Sequence, residues 1–174
     1  MGKYGMPSRC GSKQALTFRW YGYPQCAAED DNLKFAVDVL MDKLSPKGRL
    51  WSPHAVAMTR SELRSRIRKA SLGQLVPVDE VKAVDENNPP PLYEIRWQGI
   101  SVLDREPDGT ERHHNIKVRM YHSEPTELPG HFIGHHGHEK DLDAEDINAA
   151  QDLEIAVALG WYQHGQASKW GIAE

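Results

Sequence analysis

Residues 115–122 read Asn-Ile-Lys-Val-Arg-Met-Tyr-His. Apolar Ile116, Val118 and Met120 alternate with Lys117, Arg119 and Tyr121. An extended strand turns that period of two into one apolar and one polar face, the mark of a half-buried antiparallel strand. Upstream, Leu92 to Trp97 (LYEIRW) reads as a second strand, with residues 99–103 as an extension and Pro107-Asp108-Gly109 as the turn between the two. Downstream, Pro125 to Gly130 turns the chain and His131 to His136 forms a shorter, weaker strand. Asp143 with Asp146 opens a last helix, whose apolar stripe is Ile147, Ala150, Leu153 and Val157. Trp161 and Trp170 fall in a tail that can dock on the core.

The first half reads differently. Residues 1–15 form an irregular arm rich in Gly, Ser and Lys. Leu16 to Tyr21 (LTFRWY) is a first strand, ended by Tyr23-Pro24. Asp31 caps a helix carrying Leu33, Val37, Leu40 and Leu44, which Ser45-Pro46-Lys47-Gly48 stops. Thr59-Arg60-Ser61-Glu62 fits a capping box that starts a second helix, with Leu63, Ile67 and Ala70 on one face and Gly73 at its end. Residues 74–91, with Asn87-Asn88-Pro89-Pro90-Pro91, read as a Pro-rich surface insert. The expected fold is a single α+β domain over residues 16–160, followed by a tail at 161–174. It has an antiparallel sheet of about four strands, two helices after the first strand and a C-terminal helix.

A chain of 174 residues favours one domain and buries enough surface to need no disulfide or metal staple. The longest apolar runs, such as Ala55-Val56-Ala57-Met58, are too short to span a bilayer, and MGKYGMPSRC lacks the apolar stretch of a secretory signal. A cytoplasmic location without membrane attachment follows as the expectation. Cys10 and Cys26 are too few for a disulfide framework and are expected as reduced thiols. The net charge is −4, yet Lys47, Arg49, Arg60, Arg64, Arg66, Arg68 and Lys69 face Glu62 alone within residues 45–75. Arg60, Arg64 and Arg68 recur every four residues, so a helix aligns them in a stripe. That stripe suits a polyanion or a solvated helix face equally well. No GxxxxGK phosphate loop and no GxSxG elbow is present, and neither cysteine has a nucleophile's context.

Three segments carry a family resemblance. Leu92-Tyr93-Glu94-Ile95-Arg96 is similar to the Leu-aromatic-Glu-Leu-Arg strand of the RelE/ParE toxin superfamily, including its HigB-like members. Asn115 to Tyr121 resembles that superfamily's aromatic-Arg-Val-aliphatic-Tyr strand, with Lys117 at the arginine position. Gly134-His135-His136-Gly137-His138-Glu139-Lys140, followed by the helix from Asp143, looks like its His-Gly-Phe-x-Lys-Lys sequence and terminal helix. Here His138 replaces the aromatic and Glu139-Lys140 the two lysines. Residues 92–158 carry the likeness, and residues 16–72 share element order alone.

The resemblance implies a RelE-like fold and the toxin of a toxin–antitoxin pair. Such a toxin cuts mRNA at the ribosome without metal or other cofactor, and a small antitoxin protein restrains it. Metal-free RNA cutting needs a base for the ribose 2′-OH, an acid for the leaving oxygen, and cations for the phosphorane-like transition state. Arg96 is the candidate phosphate clamp, because its planar fork matches phosphate. Lys117 and Arg119 add charge from the next strand. Tyr121, His136 and His138 are candidates for proton transfer, and Lys140 for holding phosphate. Arg60, Arg64, Arg68 and Arg119 are the candidate RNA contacts. Bland roles compete: Arg96 can pair with Glu94, Lys117 and Arg119 can be the wet side of a strand, and Lys140 an ordinary charge before a helix.

Two alternatives remain. The superfamily includes gyrase-poisoning proteins that are not nucleases, so the chain can be a non-catalytic binding protein. The histidines His113, His114, His122, His131, His135, His136 and His138 can serve a metal-dependent hydrolase, through His131 with His135 or His136 with His138. Their spacing matches no standard metal motif, HExxH is absent, and no metal is expected.

Overall fold

A computed structural model describes residues 6–22, 27–85 and 91–171. Tyr23-Pro24, Cys26, and the stretch from Asn87 to Pro90 lie outside the described residues. In chain order the elements are β1 (Thr17–Trp20), α1 (Glu29–Lys43), β2 (Arg49–Leu50), α2 (Pro53–Ser71), β3 (Val81–Ala83), β4 (Leu92–Arg105), β5 (Glu111–Ser123), β6 (His131–Glu139) and α3 (Ile147–Ala167). The α+β class and the order of the main elements agree with the sequence reading.

The sheet has six strands rather than about four, in the order β1-β6-β5-β4-β2, with β3 also paired to β4. All pairs are antiparallel except β1 with β6. The two unforeseen strands, β2 and β3, both line the outer edge of β4. Two or three residues cannot display a period of two, so no pattern betrays them. The strand expected at His131 to His136 runs on to Glu139 and lies inside the sheet.

α1 and α2 cover one face. Leu33, Val37, Leu40, Leu63 and Ile67 pack there against Ile95, Trp97, Val118, Met120 and Phe132. α3 covers part of the other, where Ala158 packs with Leu92 and Tyr121. β5 is therefore not half-buried as its alternation implied: Arg119 is 1% and Tyr121 0% exposed. Local alternation reports the chemistry of each face, but a helix some 30 residues further on decides whether the polar face meets water.

Three smaller expectations change. α2 begins at Pro53, where the Ser52 hydroxyl accepts from Ala55 N at 3.1 Å, so the capping-box residues Thr59 to Glu62 lie inside the helix. Ser-Pro supplies both a cap and the fixed φ of a first helical residue, a stronger start signal. Of the expected stripe, Leu153 and Val157 face solvent, at 73% and 46% exposure, as does Trp161 at 49%. α3 seats instead on Ala158 and Gly165, whose small size lets its backbone approach; a Cβ on Gly165 would crowd the rings of Trp170 and Tyr21. α3 also absorbs residues 161–167 of the expected tail, after which buried Trp170 donates its Nε1–H to Glu127 at 2.9 Å.

Bulges set which side chains reach which face. β4 carries an extra residue between Trp97 and Ile100, so odd-numbered apolar residues before it and even-numbered ones after it share the core. β6 carries another between its partners of Tyr121 and His122. On either side of that bulge Gly134 and Gly137 meet α1-side and β1-side groups, while His136 and His138 face α3. A Cβ on Gly137 would overlap Leu40 Cδ2 and lie 3.2 Å from the Arg119 carbonyl oxygen. Gly137→Ala is expected to cost roughly 1–3 kcal/mol by overpacking, read from urea unfolding. Adding Leu40→Ala should relieve part of that overlap, so the double variant should lose less than the two single losses added together. Full additivity would mean that α1 does not press on β6 here.

Candidate functional site

Strand register gathers the candidate residues. Glu94 lies opposite Tyr121, Arg96 opposite Arg119, Arg119 opposite His138 and Tyr121 opposite His136. Lys140 N donates to the Lys117 carbonyl at 2.7 Å and extends the row past the strand end. Arg96, Lys117, Tyr121, His136, His138 and Lys140 thus share the α3 side of β4, β5 and β6 with Arg119. Alternation is the cause: each is an even step from the next along its own strand.

A carboxylate holds the centre. Glu94, 2% exposed, has Oε1 at 3.3 Å from Arg96 Nε and 3.8 Å from Arg119 Nε. Its Oε2 accepts from Gln151 Nε2 of α3 at 3.2 Å. Arg96 therefore has the Glu94 pairing anticipated as its bland role, and its Nη1 also donates to the Val78 carbonyl at 2.7 Å. Arg119 is not the solvent-facing RNA contact the sequence suggested; its Nη1 donates to its neighbour's carbonyl, Val118 O, at 3.0 Å. Burial pushes the Arg119 guanidinium below its ordinary range, Glu94 opposes that, and Arg96 adds to it. Burial, then Arg119, likewise lowers the half-buried Lys140 ammonium.

Three rings form a stack. Tyr121 lies 5.6 Å from His138 and 6.5 Å from His136, with His136 and His138 6.3 Å apart and all near parallel. His138 Nδ1 is 3.0 Å from the Glu139 carbonyl oxygen, which can only accept, so Nδ1 carries the proton. Nε2 is then bare and accepts the Tyr121 hydroxyl at 2.9 Å. Burial holds His138 below the usual imidazole range, so it is a neutral acceptor. Burial, with Glu94, raises the Tyr121 phenol, which stays protonated as the donor that orients His138. His136 Nε2 meets the Glu154 carboxylate of α3.

The arginine stripe lies elsewhere. α2 packs on the opposite side of the sheet, where Arg60 pairs with Asp38 and Arg68 with Asp30, the latter at 3.1 Å. Carboxylates of α1 thus offset two of its three charges, and Arg64 is exposed. The stripe and the histidine face are separate surfaces. The histidine pairs do not make a ligand set either. Among the described residues the group whose ligand atoms approach within 4.8 Å of one another is Cys10, His122 and Glu124. Gln151 and Glu154 join the face without having been singled out, and Glu94, anticipated as a partner of Arg96 alone, sits at its centre. Glu94 was legible as a charge two residues from Arg96, but the two α3 residues carry no local signal.

No protein-family model, curated protein or solved structure matches the chain.

The α3-covered face should be labile to acid. Burial lowers His135, whose Nε2 lies 2.8 Å from Ser123 Oγ, from an ordinary 6.5 to about 3, and it lowers His138 as well. A group whose pKa is depressed by folding binds fewer protons in the fold, so its stability is complete above about 6.5 and is lost as pH falls toward the folded value. Buried Glu124, brought down to about 2 by its hydrogen bonds despite desolvation, begins to matter only below its ordinary 4.5. A decline in urea stability between pH 6.5 and 4.5 is therefore expected, and His135→Gln should flatten it. An identical slope in that variant would assign the decline to other groups.

Proposed function

We propose that the protein is the toxin of a toxin–antitoxin pair, a metal-independent endoribonuclease that cuts mRNA at the ribosome. What carries this reading is the convergence of Arg96, Lys117, Tyr121, His136, His138 and Lys140 on one face of three adjacent strands. Arg96, Lys117 and Lys140 are its partly exposed cations and suit a bridging phosphate. His138, neutral with a bare Nε2, takes the 2′-OH proton once the hydroxyl replaces Tyr121 there. The 2′-oxygen attacks phosphorus, giving a 2′,3′-cyclic phosphate, and the departing 5′-oxygen takes a proton from His136. The three cations stabilise the charge that builds on the phosphoryl oxygens. Access requires α3 to move, because Gln151 and Glu154 bridge it to Glu94 and His136. A small antitoxin is the protein partner that this reading calls for.

One observation favours a second reading, a non-catalytic binding protein. Arg119 and Tyr121 are closed under α3, and His136 and His138 are below a tenth exposed.

Controlled expression in a bacterium separates the two. Growth arrest with new mRNA 5′ ends bearing hydroxyls is expected, unaffected by a chelator when the purified protein cuts RNA, and lost with Arg96→Ala/Lys140→Ala. His138→Gln should slow cutting ~10²–10⁴-fold, the usual worth of a positioned base. Normal growth and no new ends would sink the nuclease and leave the binding protein. RNA affinity should also fall steeply with salt, and Arg64→Ala should lower that slope by about one if the α2 surface touches phosphate. A slope unchanged by Arg64→Ala would remove α2 from the interface.

A further inference from the structure

We propose that Cys10, His122 and Glu124 form a tetrahedral site for a zinc-like divalent cation that fastens the N-terminal arm to the end of β5. Cys10 lies in a 3-10 turn, Arg9–Gly11, and His122 and Glu124 lie at and just beyond the last residues of β5. Cys10 Sγ is 3.6 Å from His122 Nε2, which is 3.0 Å from Glu124 Oε1. A tetrahedral zinc, with its bonds of about 2.0–2.3 Å, needs ligand atoms roughly 3.3–3.6 Å apart. The two pairs that share His122 meet that spacing within a few tenths of an ångström, and all three ligand atoms lie within 4.8 Å of one another.

The donors suit the ion in kind and in charge. Sulfur, imidazole nitrogen and one carboxylate oxygen select zinc over calcium or magnesium, which take oxygen sets. A thiolate and a carboxylate neutralise a dication, so the occupied site carries no net charge. The thiol proton leaves to solvent as the cation binds. Cys10 and His122 are wholly buried and the Glu124 side chain is 3% exposed, so exchange with solvent is restricted.

The surroundings hold the ligands in place. Ser8 Oγ donates to Glu124 Oε1 at 2.5 Å, and Arg9 N donates to Oε2 at 2.8 Å. The Arg9 guanidinium also lies on the Oε2 side, at 3.4 Å, away from the oxygen that faces His122. Cys10 N donates to Ser8 Oγ at 3.1 Å. Tyr93 stacks on the His122 ring at 5.6 Å and Phe132 meets it edge-on at 5.5 Å. His122 Nδ1 is buried with no hydrogen-bond partner, so Nε2 is the nitrogen that bears the ring's polar contacts. Ser8 and Arg9 border a cleft of about 560 Å³ shared with Met6, Pro77 and Val81, which gives solvent and a metal ion an approach.

The site is tested on the full chain, purified without a histidine tag, stripped with a chelator and titrated with Co²⁺. One Co²⁺ per chain is expected, with a thiolate-to-metal band in the near ultraviolet, tetrahedral bands in the visible, and displacement by Zn²⁺. Cys10→Ser should abolish the near-ultraviolet band and Cys26→Ser should keep it. Glu124→Gln preserves an acceptor for Ser8 and His122. Loss of a mere outer partner weakens metal sites ~10–100-fold, so this loss of a ligand should weaken Co²⁺ at least tenfold. A wild-type chain with no thiolate band overturns the proposal, whatever the variants do. So does a band that survives Cys10→Ser or disappears with Cys26→Ser, and the three groups are then a hydrogen-bonded cluster alone.

Discussion

The polar face of β5 is buried beneath α3, and Glu94 between Arg96 and Arg119 is what allows it. Taking an unpaired guanidinium such as Arg119 out of water costs several kcal/mol. Glu94 offsets that for both neighbours, since its Oε1 approaches each Nε within 4 Å. The compensation is unequal. Two cations share one carboxylate, Lys140 adds a third cation nearby, and burial lowers both Arg119 and Lys140. The result is a positive field under a helix. α3 answers it from above with neutral Gln151 on Glu94 and with Glu154 on His136.

Burial, with Arg119 beside it, governs the protons on the face. Desolvation first, and then the neighbouring His136 and Arg119, disfavour a further positive charge, so His138 stays neutral. The backbone fixes which nitrogen is bare, because Glu139 O can only accept. Tyr121, kept protonated by burial, aims at that nitrogen. One face thus combines partly exposed cations with an oriented, neutral imidazole. The same α3 that buries this face also closes it, through Gln151 on Glu94 and Glu154 on His136.

The histidines divide by strand parity. His122 follows Met120 onto the α1 and α2 side, where Cys10, Tyr93 and Phe132 surround it. His136 and His138 face α3, because the bulge in β6 and the glycines Gly134 and Gly137 let the backbone meet Trp20 and Leu40 closely on the other side. A histidine-rich segment that looks like one cluster in sequence is therefore split between the face beneath α3 and the neighbourhood of the N-terminal arm.

By itself the sequence determined the strand at 115–122, the helix faces of Leu33 to Leu44 and Leu63 to Ala70, the turn at Pro107 to Gly109, and the Asp146 cap, whose Oδ1 accepts from Ala149 N at 3.0 Å. Each follows from contacts within a few residues, where period and capping act. It also placed Arg96, Lys117, Tyr121 and His136 on strands; the structure carried the last strand on past His138 to Glu139, with Lys140 just beyond it, and parity then put all six on one face. Tertiary structure decided that α3 covers that face, that Leu153, Val157 and Trp161 point to water, and that α1 carboxylates pair with Arg60 and Arg68. It also decided that Cys10 meets His122 across 112 residues of chain. These depend on which surfaces pack and on where two bulges reset the register, and neither leaves a mark in the local order of residues.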